Sequence, residues 1–224
     1  MSDSTVLTAQ DLIAQYGGIA LDKQNDLAAV IGDNNWNADL EQGVISFGEH
    51  IVFPIQILGT FSHSSETFLW GWANTASGIP ENLLQDALQI KQYGEKTGLP
   101  LFTTSQFDAA VNDVHYIGLI ASGMLGSSAY YVADYGSGAL LVTIKSPLID
   151  EARTETPQRV LTVFPQLISL FEMNHQQALA AYLKAKGFEV TAKDKELSAT
   201  YNSNTIVATF DELHRLASLN GNLS

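Results

Sequence analysis

Apolar positions along the chain recur with two different periods, and the switches between them mark out the expected elements. From Thr8 to about residue 31, Leu12, Tyr16, Ile19 and Leu27 fall near helical spacing, and Thr8 with Asp11 can cap the first turn. The Gly17-Gly18 pair is where this helix would break. From Trp36 the period becomes two. Trp36, Ala38 and Leu40 predict one short strand, and Val44, Ile45 and Phe47 predict the next. Ile51, Phe53, Ile55, Ile57 and Phe61 then share one face of a long strand, with Val52, Pro54, Gln56 and Thr60 on the other. Pro54 lacks an N–H, which points to an edge strand or a bulge at that position. Ser62–Glu66 reads as a loop, and Thr67–Asn74 as an antiparallel return strand with Phe68, Trp70 and Trp72 on one face.

Helical spacing returns from Pro80 to about Tyr93, with Leu83, Leu84, Ala87, Leu88 and Ile90 as its stripe, and again from Gln106 to about Leu125. Tyr130–Asp134 and Ala139–Ile144 predict a hairpin. Arg159–Met173 reads as a helix, followed by another that Asn174 and Gln177 cap and Gly187 ends. Phe188–Ala192, Leu197–Tyr201 and Thr205–Thr209 predict strands, and Asp211–Leu219 a last helix capped by Thr209 and Glu212. The fold class is therefore α+β: a mainly antiparallel sheet packed against helices, with a C-terminal helix pair and short strands. Residues 1–145 form the α+β region with the aromatic-rich sheet. Residues 146–158 are a linker or surface loop. Residues 159–224 hold the helical hairpin, short strands and final helix, packed on the first region as a single module.

Charge narrows the partners. The chain has 24 acidic and 11 basic side chains, net -13, and no Cys. Residues 1–150 carry 16 acids against 4 bases (net -12), and residues 151–224 carry 8 against 7 (net -1). Such a surface repels phosphate backbones, so nucleic acid is disfavoured and a basic protein is the partner that charge suggests. The lack of Cys excludes thiol chemistry and thiolate zinc sites. The N-terminal residues show no secretory pattern, and Val114–Ala133, though free of Asp, Glu, Lys and Arg, reads as a buried helix running into a strand. A soluble cytoplasmic protein with no membrane contact is expected.

Candidate chemistry is sparse. His50 and His63 flank the long strand, which separates them by roughly 40 Å, too far to share a metal with Glu49 and Glu66. No metal or cofactor is expected. Ser122-Gly-Met-Leu-Gly126 lies inside a predicted helix, unlike a nucleophile elbow, and Gly118–Gly126 lacks a nucleotide fingerprint. Three readings compete. The first is a non-enzymatic binding or protein-interaction module with Trp36, Trp70, Trp72, Asn74, Tyr93 and Glu95 walling a pocket, against the alternative that these rings are simply core. The second is a hydrolase-like enzyme in which His63 or His115 works with a carboxylate such as Glu66 in a cleft. The third is a structural or oligomer-forming protein with the Pro54 strand as an edge.

The strings Gly59-Thr60-Phe61, Phe68-Leu-Trp-Gly-Trp-Ala-Asn74, Tyr93-Gly94-Glu95 and Leu125-Gly-Ser-Ser-Ala-Tyr-Tyr131, followed by Asn174-His175 and Ala181-Tyr182-Leu183, occur in order. In this the chain resembles an uncharacterised bacterial domain-of-unknown-function family over residues 10–190. The resemblance implies a bacterial, soluble, single-module protein and no activity, cofactor or catalytic residue.

Overall fold

The computed structural model describes residues 7–154 and 156–223. The chain divides into two compact units, Met1–Asp22 with Thr154–Ser224, and Lys23–Arg153. Helix α1 (Ala9–Ile31) contributes to both. Its first turn is closed by a reciprocal cap: Asp11 N–H donates to Thr8 Oγ1, and Thr8 N–H donates to Asp11 Oδ2. The helix runs unbroken through Gly17 and Gly18. These glycines serve close approach instead, because a Cβ on Gly18 would lie 2.5 Å from the Tyr182 side chain.

The Lys23–Arg153 unit is built on a seven-stranded sheet. β1 (Trp36–Asp39), β2 (Val44–Phe47) and β3 (Ile51–Ser62) form an antiparallel meander, extended by β4 (Thr67–Trp70) and β5 (Gln106–Asp108). The alternation expected in β3 is present: Phe53, Ile55, Ile57 and Phe61 are buried, while Val52 and Pro54 are exposed. β3 is an interior strand from Gly59 on, where it lies between β4 and β7 (Gly138–Ile144), while at Pro54 it pairs with β2 alone among the described residues. Pro54 opposes Val44 of β2, and from Ile55 onward β3 pairs with β7, so the missing N–H falls where the ladder changes partner. The register shift with β7 lies further on, between Ile57 and Gly59. The hairpin of β6 (Ala129–Asp134) with β7 completes the sheet.

The return strand stops at Trp70, and Gly71–Ala73 is a 3-10 turn. A Cβ on Gly71 would lie 3.1 Å from Ile57 O and 3.2 Å from Leu58 O, so a residue with no side chain lets the backbone turn against β3 here. Trp72 therefore does not share a strand face with Trp70. The next helix also starts later than its Pro suggests: a 3-10 turn, Glu81–Leu83, precedes α2 (Gln85–Thr97), and short α3 (Pro100–Thr103) follows. The stretch Gln106–Leu125 divides into β5 and α4 (Val111–Met124), whose entry is closed by Asp113 accepting from Ala110 N–H. α5 (Pro147–Glu151) lies within the expected linker. Phe47, Phe53, Ile57, Val142 and Ile144 centre this unit's core, with Phe47 edge-on to Tyr131.

In the other unit, α6 (Val160–Leu170) buries Val160, Val163, Phe164 and Leu167, and α7 (His175–Ala185) starts at Asn174, whose side chain accepts from Gln177 N–H. A four-stranded antiparallel sheet follows: β8 (Glu189–Lys193), β9 (Glu196–Tyr201), β10 (Asn204–Phe210) and β11 (Leu216–Asn222). The expected last helix is absent and β11 stands in its place. Asp211 accepts from the N–H groups of Leu213 and Arg215, and His214 adopts a left-handed φ of 57°, so local turn chemistry closes a hairpin. The two units thus show the α+β class, with antiparallel sheets packed on helices and a helix pair ahead of the final strands.

Candidate functional site

The aromatic string supplies core and surface in unequal parts. Trp70 is fully buried; its Nε1 donates to Leu101 O, and Phe68 and Phe102 meet it edge-on. Tyr93 packs on Phe102. Asn74 is buried and holds the turn by donating to Thr60 Oγ1 and accepting from Ser77 N–H. Trp72 is half-buried under Lys91, whose ammonium lies 4.4 Å from its ring centroid and 3.8 Å from Glu95. Trp36 belongs to a different cluster, on β1 against the core around Phe47 and Phe53. Trp70, Tyr93, Trp72 and Glu95 are thus gathered around α2, and Trp36 is not.

The histidines are dispersed. His50 is exposed beside Glu49. His63 Nε2 lies 3.0 Å from Asp134 Oδ2 and its ring meets Phe61 edge-on. Glu66 sits in the exposed turn beyond, and its carbonyl accepts from Ala109 N–H. His175 Nδ1 accepts from Leu216 N–H, and His214 faces Gln176. Among the described residues no cluster of His, Asp and Glu is assembled for a metal ion, and no helix is long and apolar enough to cross a membrane.

His115 opens onto a built cleft. Gln24, Leu27, Ala28 and Ile31 occupy one stripe of α1, and they line a cavity of about 220 Å³ with His115 of α4 and Tyr130, Tyr131 and Val132 of β6. The stripe follows from helical spacing, and the strand side from the hairpin. Gly118 lets α4 lie flat on Tyr130: a Cβ there would sit 2.4 Å from the ring. His115 Nδ1 and Tyr130 Oη are 3.1 Å apart. Burial pushes the His115 pKa down and raises those of Tyr130 and Tyr131, so the walls are uncharged at neutral pH.

Among the described residues β6 pairs with β7 alone, so its other side is a sheet edge. Gln24 covers the start of that edge. With its amide turned so that nitrogen faces Tyr130 O (2.9 Å) and oxygen faces Tyr130 N–H (3.1 Å), Gln24 satisfies both groups as a neighbouring strand would. Period two turns the N–H and C=O of Val132 the same way, directly beside the cleft. Asp134 follows at the exposed end; the Gly136 N–H, and after it His63, hold its carboxyl below the usual range. The whole is an uncharged apolar slot beside open backbone groups, ending in an anion. Sequence reasoning identified His115 alone from this set. Gln24 reads as an ordinary solvated position, and the Tyr130–Asp134 strand carries no sign that one of its sides is unpaired.

A family model described as a family of unknown function (DUF6882) matches residues 10–147. The match takes in the strings from Gly59 to Tyr131 and the whole of the cleft, and stops before Asn174 and Ala181–Leu183. No curated protein and no solved structure matches the chain. With well over half its length matched, the chain belongs to the DUF6882 family of unknown function.

Proposed function

We propose that this is a non-enzymatic protein-interaction module of the bacterial cytoplasm that receives an extended segment of a basic protein along β6. The observation that carries this reading is the open rung at Val132 beside the cleft, with Gln24 already acting as a strand at the rung before it. An added strand gains main-chain hydrogen bonds from the edge and places alternate side chains in the slot. An apolar residue fits against Leu27, Ile31 and Tyr131, and a basic one fits at Asp134. The net charge of -12 over residues 1–150 draws such a partner in.

The test uses a synthetic peptide of alternating valine and lysine, followed by calorimetry and by backbone amide shifts. Shifts confined to residues 130–134 and the cleft are expected. Val132→Pro removes an N–H that turns away from β7 and bonds to none of the described residues, so the fold is kept and binding falls at least about tenfold. Equal binding by that variant, or shifts centred elsewhere, overturns the reading. The hydrolase-like alternative rests on the His63–Asp134 pair. Ester hydrolysis that disappears in His63→Ala would favour it.

A further inference from the structure

A second cavity, of about 210 Å³, lies on the same sheet and is lined by Pro54, Ile55, Gln56, Asp86, Thr143 and Lys145. Asp86 stands in the first turn of α2 and is only 6% exposed. Its carboxylate bonds to the facing strand: Thr143 Oγ1 donates to Oδ2 at 2.6 Å. Oδ1 has the Lys145 ammonium 4.0 Å away, beyond hydrogen-bond reach, on a side chain that is 59% exposed. Gln56 is committed elsewhere, donating to Asn82 O and accepting from Gln85 N–H.

Asp22, in the other unit, shows what a structural buried carboxylate looks like in this chain. Arg159 reaches one of its oxygens at 3.0 Å, and Lys186 at 2.6 Å and Tyr182 at 2.9 Å reach the other. Asp86 has no such closure. It lines a cavity with a loosely held cation, Lys145, 4.0 Å from Oδ1 and apolar walls from Pro54 and Ile55.

We infer that this cavity binds a small zwitterion of the α-amino acid class. The ligand's ammonium donates to Asp86 Oδ1, its carboxylate accepts from Lys145, and its aliphatic side chain lies on Pro54 and Ile55. The charges decide the class. The site contributes one anion and one cation, so a zwitterion satisfies both. A lone amine must displace Lys145, and a lone carboxylate leaves Asp86 as it is. The volume is below that of a drug-sized pocket and suits a compact ligand.

Calorimetric titration of the full chain with L-leucine, 4-methylpentanoate and 3-methylbutylamine tests this. The last two are leucine without its ammonium and without its carboxylate. Saturable binding of leucine is expected, with both analogues at least about tenfold weaker, the size of one charge-assisted contact. Asp86→Asn keeps an acceptor for Thr143 and should weaken leucine by a similar factor, as should Lys145→Met. If Asp86→Asn fails to fold, Lys145→Met, changed at an exposed position, still decides the matter. Absence of saturable leucine binding up to millimolar concentration overturns the inference. So does 3-methylbutylamine binding as tightly as leucine, because Lys145 then has no part.

Discussion

His115 ties the chemistry of one residue to the stability of the fold. Its ring is held against Tyr130, and burial makes it harder to protonate in the folded chain than in the unfolded one. A group with a depressed folded pKa lets the unfolded state take up more protons, so stability must fall as the pH drops below about 6.5, the ordinary histidine value. His175 is shifted the same way, again mainly by burial, and adds to the slope. Replacing His115 by Gln should flatten the acid limb of the melting temperature against pH and leave the limb above neutrality unchanged. An unaltered profile would mean that His115 titrates normally. The aromatic string shows why single residues are hard to assign from sequence. Trp70 and Trp72 stand two positions apart, as on a strand, yet Gly71 takes the chain through a 3-10 turn between them. One ring enters the core and the other lies half-open under Lys91.

At the scale of elements, the α4–β6 contact depends on a missing side chain. Gly118→Ala gains about 1 kcal/mol of helix propensity but drives a Cβ into the Tyr130 ring, and overpacking of that kind costs about 1–3 kcal/mol. A net loss of up to about 2 kcal/mol is expected in urea unfolding. The same measurement on Gly126→Ala should show strain of a different origin, because the φ there is 63° and no neighbour lies within contact. Elements with a clean period were legible in the sequence. The alternation from Ile51 to Phe61 is the pattern β3 buries, and Asn174 caps α7 as its spacing with Gln177 suggests. Elements governed by short-range polar geometry were not. Residues 211–219 carry apolar positions at helical intervals, but the Asp211 carboxylate binds the N–H groups of Leu213 and Arg215 and turns the chain into β11. The cleft was hidden for another reason: it arises where residues of α1, α4 and β6 converge, and no local pattern records an unpaired strand side.

For the whole molecule, charge governs encounter more than fold. A surplus of 13 negative charges acts over a Debye length of about 10 Å at 0.1 M salt. Binding of the valine–lysine peptide should therefore weaken several-fold between about 0.05 M and 0.3 M salt, chiefly through a slower on-rate, as stopped-flow fluorescence would show. Leucine binding at Asp86 should change far less, because a zwitterion carries no net charge for the field of the protein to draw in. A salt-insensitive peptide on-rate would remove electrostatic steering from the account. The amide of Gln24 has one more consequence. Because it occupies the Tyr130 rung, a visiting strand must begin its ladder at Val132. Sliding by one residue would present carbonyl to carbonyl, and sliding by two would collide with the glutamine. On the proposed reading, a single side chain thus sets the alignment of the guest, and the same block should hinder two copies of the protein from zipping together along that margin.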